Sequence, residues 1–230
     1  SCYEEVEYIN NSPDYLDSIY FHIWPNAYKN SQTAFARQYL ENGSSKFHFA
    51  KDSQLGFIDK LNFEADGQTL KWELDKKHID IALVNLGRKL QPGESIIITT
   101  PFRVKLPASF SRLGHEGQAY QITQWYPKPA VYDVNGWNQM PYLDQGEFYS
   151  EFGSFDVSIT LPENYYVAST GVLQNPEEWK RIKDKELNPK DWEGKTPPSS
   201  NQKKTLRYIQ DNVHDFAWFA DKTFNIKSSS

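Results

Sequence analysis

QAYQITQWYPKPAVYDVNGWNQMPYLDQGEFYSEFGSFDVSITL, residues 118–161, is the stretch around which the rest of the chain can be interpreted. Its last part, 155–161, alternates apolar and polar side chains, as expected for a strand with one buried face. Residues 118–125 alternate in a similar way. Pro127 and Pro129 then exclude a helix and interrupt strand pairing, so the first strand is predicted to run outward into a proline-stiffened loop. Polar groups on such a loop, beside a rigid sheet, are typical of binding sites.

The composition limits the classes of protein to which the chain can belong. A chain of 230 residues with no internal repeat and no helix-rich half is predicted to form one domain, over residues 1–227. The hydrophobic fraction of 38%, with 15% aromatic residues, predicts a core rich in Phe, Tyr and Trp. A net charge of −5 with mixed signs argues against nucleic acid or an anionic membrane as the main partner. Because no run of about 18 apolar residues occurs, no membrane-spanning helix is expected.

Short strand-like segments recur along the chain with turn signals between them. Strands are expected at 3–9, 18–24, 57–63, 69–74, 79–86, 95–106, 154–161, 165–170, 206–210 and 216–220, and a short helix at 33–41. Asp66-Gly67 predicts a hairpin whose loop is longer than two residues. The whole pattern is typical of an all-β antiparallel sandwich, or of a saddle-shaped pair of sheets.

Residues 177–204 differ from their surroundings in composition. Charged residues dominate, and Pro189, Pro197 and Pro198 interrupt any regular element. We expect an exposed insert with a brief helix at 177–187, whose charges form a solvated face rather than a recognition surface.

Several short motifs together suggest a family. They are Thr123-Gln124 followed by two aromatic residues and a proline, Gly136-Trp137, Gly146-Glu147-Phe148, the run FGSFDV at 152–157 and the run VASTGVLQN at 167–175. With these motifs the chain resembles the amino-terminal domain of M1-family zinc metallopeptidases, the aminopeptidase-N-like enzymes, and most of all their bacterial branch. The resemblance extends over about residues 6–226.

The resemblance implies a non-catalytic domain that lines the substrate cleft and docks on a catalytic domain of the same polypeptide. That catalytic domain, with its zinc, is expected after residue 230, and the parent protein is expected to hydrolyse peptides as an aminopeptidase. The chain begins at Ser1 inside a predicted strand and is therefore expected to be part of a longer polypeptide. A bacterial origin is implied, and an exported or periplasmic location is left open.

The resemblance implies that two residues of this sequence carry substrate contacts. Gln124 matches the glutamine that helps to line the cleft, and its amide can bind either an ammonium group or a peptide backbone. Tyr126 stands where many members place a glutamate that contacts the free amino end of the substrate. A phenol has no charge at neutral pH, so Tyr126 would hold an ammonium group more weakly than a carboxylate would.

The residues do not support chemistry within this chain. A zinc peptidase needs two histidines one helical turn apart with a glutamate between them, and His115-Glu116 has no second histidine. Glu147 and Glu151, considered with Asp144, would lie about 13 Å apart on one strand, too far for a glycosidase pair. Cys2 is the only cysteine, which excludes an internal disulfide and a cysteine-rich zinc site. No catalytic residue, metal ligand or cofactor is therefore expected in this chain.

Two alternatives stay open at this stage. A β-sheet surface that carries several Trp and Tyr residues can stack sugar rings, which would make the chain a carbohydrate-binding module. A purely structural or assembly module is the other alternative. Trp125, Trp137 and Tyr142 are expected to pack against the loop or the catalytic domain rather than to bind a ligand.

Overall fold

Eighteen β-strands and two α-helices form in the described residues, 1–188 and 196–227 of a computed structural model. The strands are β1 (Cys2–Ile9), β2 (Leu16–His22), β3 (Phe57–Asp59), β4 (Glu64–Ala65), β5 (Gln68–Thr69), β6 (Trp72–Leu74), β7 (Ile81–Leu90), β8 (Ser95–Lys105), β9 (Gly114–Glu116), β10 (Ala119–Ile122), β11 (Lys128–Pro129), β12 (Val131–Asp133), β13 (Gly136–Asn138), β14 (Gly153–Pro162), β15 (Tyr166–Ser169), β16 (Val172–Leu173), β17 (Lys203–Val213) and β18 (Trp218–Asp221). The helices are α1 (Ala34–Glu41) and α2 (Pro176–Leu187).

All the strand pairs are antiparallel in this part of the chain, which confirms the predicted all-β, sandwich-like fold. Both predicted helices are also confirmed. The Thr33 side chain accepts a hydrogen bond from the Ala36 N–H at 3.2 Å and so caps α1. Gly43, with φ +87°, follows the helix at the position where a left-handed residue ends it.

The described chain divides into two compact units. The first comprises Ser1–Leu113 with Gln124–Glu151, and the second comprises Gly114–Thr123 with the residues from Phe152 onward. One of the three boundaries between them, Thr123/Gln124, falls in the loop that follows β10. The prediction of a single domain over residues 1–227 stays a prediction.

The first unit contains two larger sheets. One has the order β1-β8-β4-β5, with β3 also paired to β8, and the other has the order β11-β2-β7-β6. Alternate residues of β8, from Ile96 to Phe102, are buried. Phe21 of β2 lies 5.0 Å from Phe63, in the segment between β3 and β4, so the two sheets share one aromatic-rich core.

A second cluster of aromatic rings joins α1 to the rest of this unit. Phe35 is fully buried and contacts Tyr28, Phe47 and Tyr142 at centroid distances of 4.7, 5.0 and 5.5 Å. The Tyr28 hydroxyl donates to the Tyr142 hydroxyl at 2.8 Å. Phe35 thus anchors the helix in the core, because three large rings surround it.

The hairpin between β4 and β5 corrects one expectation. Ala65 pairs with Gln68, so Asp66-Gly67 alone forms the loop, whereas the sequence predicted a longer one. Both loop residues have positive φ, +52° and +72°, which is the conformation of a two-residue hairpin turn. The prediction was wrong because the flanking strands are interrupted around Asn62 and Leu70, so the short central pair did not stand out in the alternation.

The second unit also contains two sheets, with orders β15-β18-β10-β9 and β14-β17-β16. β14 pairs with β17 along almost its whole length, and its predicted alternation is confirmed by the buried Ile159 and Leu161. β9 is a further correction. No strand was predicted at residues 107–117, yet Gly114–Glu116 pairs with β10.

The charged segment is not a uniformly solvated face. Glu178 of α2 is 4% exposed, and its carboxylate accepts a hydrogen bond from Lys204 Nζ at 2.6 Å. The Arg181 guanidinium lies 3.8 Å from the centre of the Tyr166 ring. The expectation is therefore wrong at Glu178, because this face of α2 is charged and yet is held against the sheet by ion pairing and cation–π contact. Residues 189–195, which include Pro189, lie outside the described residues.

Candidate functional site

The backbone leaves strand geometry directly after β10. Gln124 has φ +53°, in the left-handed region that non-glycine residues rarely adopt. Three other described non-glycine residues have positive φ, namely Lys60, Asp66 and Asn212, and all of these are exposed. Gln124 is the buried member of this set, with 8% exposure. A left-handed residue costs roughly 1–2 kcal/mol, so the packing around Gln124 maintains a strained backbone.

Tyr126 lies two residues further along the same loop and is also 8% exposed. The structure therefore places both predicted substrate contacts in one short segment of the first unit, and each of them offers only a small accessible surface. The Trp125 ring lies 5.4 Å from the Tyr126 ring and 5.9 Å from Phe102 of β8. Trp125 therefore packs against the loop, through Tyr126, as well as against β8.

Lys128 adds a positive charge to this region. It is 6% exposed, and its Nζ lies 5.1 Å from the centre of the Trp24 ring and 5.8 Å from the centre of the Tyr126 ring. Pairing of β11 with β2 sets Lys128 opposite His22. A cation between two aromatic rings is held by their quadrupoles, so Lys128 fixes the position of the loop that carries Tyr126.

His22 is buried beside this lysine. Its ring stacks on Trp24 at a centroid distance of 4.3 Å, and its Nε2 accepts a hydrogen bond from the Met140 N–H at 3.3 Å. Burial, with a further contribution from the charge of Lys128, lowers the pKa of His22 from 6.5 to about 3. The imidazole is therefore neutral at physiological pH and acts as an acceptor that holds the segment after β13.

Hydrogen bonds hold residues 139–145 to the rest of the first unit at several points. Asp80, 2% exposed, accepts a hydrogen bond from the Tyr142 N–H at 2.7 Å. The Trp24 Nε1–H donates to the Met140 carbonyl at 3.1 Å, and Gln38 Oε1 accepts from the Gln145 N–H at 2.8 Å. Burial raises the pKa of Asp80 from 3.8 to about 6.

Trp137 and Tyr142 pack against other aromatic rings of the first unit, and their packing against the loop or a catalytic domain stays a prediction. Trp137 lies 5.1–6.2 Å from the rings of Tyr8, Tyr20 and Tyr132, and Tyr142 is fully buried. Residues 144–151 do not form a regular strand, so the strand on which the separation of Glu147 and Glu151 was predicted does not exist. Trp179 is the one described tryptophan that is exposed, at 46%, and its indole N–H donates to the Leu173 carbonyl.

The histidines of the described residues do not form a metal-binding cluster. In residues 1–188 and 196–227, no group of three or more His, Cys, Asp or Glu side chains could hold a metal ion. His115 lies on β9, where its Nδ1 is 3.2 Å from the Gly117 carbonyl oxygen.

No helix in the described part of the chain has the length and apolar character needed to span a membrane. Neither a scan against protein-family models nor a search of curated proteins finds a match to this chain. The function of the candidate site is therefore argued from its residues.

Sequence reasoning missed several residues that shape this site. The predicted strand at 18–24 contains His22 and Trp24, but its sequence gives no signal that Lys128 would lie against them. Asp80 follows a turn and resembles any exposed aspartate. The burial of these two charges depends on segments far away in the chain, which local patterns do not encode.

Proposed function

We propose that this chain is the non-catalytic amino-terminal domain of an M1-like zinc metallopeptidase. In this proposal the Gln124–Tyr126 loop lines the substrate cleft, and the unit that carries it docks on a catalytic domain of the same polypeptide. Zinc and the hydrolytic residues are supplied by that catalytic domain, beyond residue 230. The substrate is a peptide.

The observation that carries the proposal is the left-handed, buried backbone of Gln124. Glycine would adopt this conformation at no steric cost, so a glutamine there indicates that its amide is needed. Residues held in such conformations by their surroundings are concentrated at binding and catalytic sites. The strain falls on the residue that the motif resemblance assigns to the cleft, and two independent considerations thus point to one side chain.

The arrangement also suggests how substrate would be held. Tyr126 and Lys128 offer no negative charge for an ammonium group, since one is a phenol and the other a cation. The Gln124 amide would therefore contact the peptide backbone by hydrogen bonding, which is worth roughly 1 kcal/mol net. This predicts weaker selection for a free amino end than a glutamate at position 126 would give.

The test uses the longest natural polypeptide that contains this chain. Gln124→Ala is expected to lower kcat/KM on fluorogenic peptides about fivefold, which corresponds to the loss of one hydrogen bond. Asn212→Ala is the matched control, because Asn212 is also left-handed, with φ +56°, but lies in the second unit. Its kcat/KM is expected to stay at the wild-type value.

Equal kcat/KM for Gln124→Ala and wild type would refute the role of Gln124. The zinc content of the purified protein tests the remainder of the proposal. The full polypeptide is expected to retain about one zinc per chain after dialysis, whereas residues 1–227 alone retain none. A full polypeptide without zinc or peptidase activity would refute the assignment to a metallopeptidase.

A further inference from the structure

The outer edge of β1 is free of strand partners in the described residues. β1 pairs with β8 along its whole length, from Cys2 opposite Phe102 to Ile9 opposite Ser95. Within the same part of the chain, no second strand pairs with β1. An edge strand of eight residues presents a row of N–H and C=O groups that can accept another strand.

Both faces of this edge carry acidic side chains. Glu5 and Glu7 lie on the exposed face, between Tyr3 and Ile9, which are 68% and 50% exposed. Glu4 lies on the opposite face, with its Cα opposite that of the buried Thr100. Glu4, Glu5 and Glu7 thus form an acidic section of β1. The exposed side chains of Tyr3 and Ile9 lie on either side of it.

The buried carboxyl of Glu4 is a second feature of β1 that points to a partner strand. Its Oε2 is inaccessible to solvent and has no hydrogen-bond partner among the described residues. Burial raises the pKa of this carboxyl well above its usual range. A buried polar atom without a partner is unfavourable, because it has lost its hydrogen bonds to water. On a strand added beside β1, the side chain opposite Glu4 would have its Cβ about 5 Å away, within reach of this oxygen.

We propose that the free edge of β1 docks an extended basic segment of another polypeptide as an added antiparallel strand. Lysine or arginine side chains of that segment lie opposite Glu5 and Glu7 on the exposed face, and a third lies opposite Glu4 on the covered face. The main-chain groups of β1 supply the hydrogen bonds of the new ladder, and the three acids select the charge of the partner.

A second copy of this chain does not fit the same edge. Antiparallel pairing of two β1 strands about Val6 would set Glu5 of each chain opposite Glu7 of the other. Like charges directly opposite one another in a sheet are destabilising. The acids therefore protect the edge from self-association while leaving it open to a basic strand.

The experiment uses the acetylated, amidated peptide TKVKKVT, which places lysines opposite Glu7, Glu5 and Glu4 in an antiparallel register. Fluorescence anisotropy measures its binding to the whole chain. The double variant Glu5→Lys/Glu7→Lys is expected to weaken binding about tenfold or more. The control is Glu41→Lys/Glu73→Lys, which makes the same change of net charge at exposed residues of α1 and β6 and is expected to leave binding unchanged.

Two modified peptides separate strand addition from simple charge attraction. N-methylation of alternate peptide bonds removes backbone donors and is expected to abolish binding. Threonine in place of the third lysine is expected to weaken binding to wild type, but not to the Glu4→Gln variant. Equal binding of the N-methylated and parent peptides, or equal binding by the Glu5→Lys/Glu7→Lys variant and its control, would overturn the proposal. Concentration-dependent dimers of the wild-type chain that disappear in Glu5→Lys/Glu7→Lys would also overturn it.

Discussion

Replacing Asp80 with asparagine should make the protein more stable, and increasingly so as the pH rises. The folded-state pKa of Asp80 is about 6, against 3.8 for a solvated aspartate, because the carboxyl is buried. A raised pKa means that the folded state holds the proton more tightly. The stability that this proton contributes is present below pH 3.8 and is lost as the pH rises through 6. The full penalty above pH 7 is about 3 kcal/mol, at about 1.36 kcal/mol per pKa unit.

The asparagine side chain in the Asp80→Asn variant keeps an oxygen that can accept the Tyr142 N–H and carries no charge at any pH, so it escapes this penalty. Between pH 4.5 and 7.5 the stability of Asp80→Asn relative to wild type is expected to rise by about 2 kcal/mol. Urea denaturation followed by tryptophan fluorescence at several pH values measures this change. Asp211→Asn is the control, because that side chain is exposed, and its relative stability should stay nearly constant. A pH-independent difference for Asp80→Asn would refute the reasoning, whatever its absolute size.

Three further variants probe other buried titratable groups. The lowered pKa of His22 contributes stability that is present above pH 6.5 and is lost as the pH falls toward 3. Between pH 7.5 and 5 the wild type should therefore lose about 2 kcal/mol of stability relative to His22→Gln in the same urea assay. Parallel losses in both proteins would contradict this. Glu178→Gln leaves Lys204 without its carboxylate partner and should lower the free energy of unfolding by roughly 3 kcal/mol, as measured by thermal melting. The double variant Glu178→Gln/Lys204→Met should recover most of that loss. A double variant as unstable as the single one would show that packing, not charge pairing, determines the effect.

The strands and helices were largely predictable, because each depends on neighbours in the sequence. Thr33 and Gly43 mark the ends of α1, and the alternation of 155–161 specifies the buried face of β14. The errors arose where tertiary pairing decides the outcome. Gly114–Glu116 becomes a strand only because β10 lies beside it, and three residues are too few to show alternation. Partners in space, not local preference, form such short strands.

For the candidate site, the sequence predicted which segment forms the loop, but not the backbone conformation or the burial of its residues. The prolines and amides of the 123–129 loop indicated that it leaves the sheet, and Gln124 and Tyr126 could be singled out by motif. The left-handed φ of Gln124 could not be predicted, since glutamine has no preference for that region and a sequence rule would place glycine there. Nor could the burial of Lys128, because the Trp24 ring that covers it belongs to a segment near the start of the chain.

The two buried titratable groups act on one stretch of chain in opposite directions. His22 accepts from the Met140 N–H and Asp80 from the Tyr142 N–H, so both hold residues only two positions apart. From pH 7.5 to pH 5 the histidine removes about 2 kcal/mol of stability while the aspartate restores about 1 kcal/mol. The two contributions have opposite signs and therefore largely offset each other, although the pKa of each group is strongly shifted. A nearly flat pH profile of the wild type is therefore compatible with two large buried pKa shifts, and only the single variants separate them.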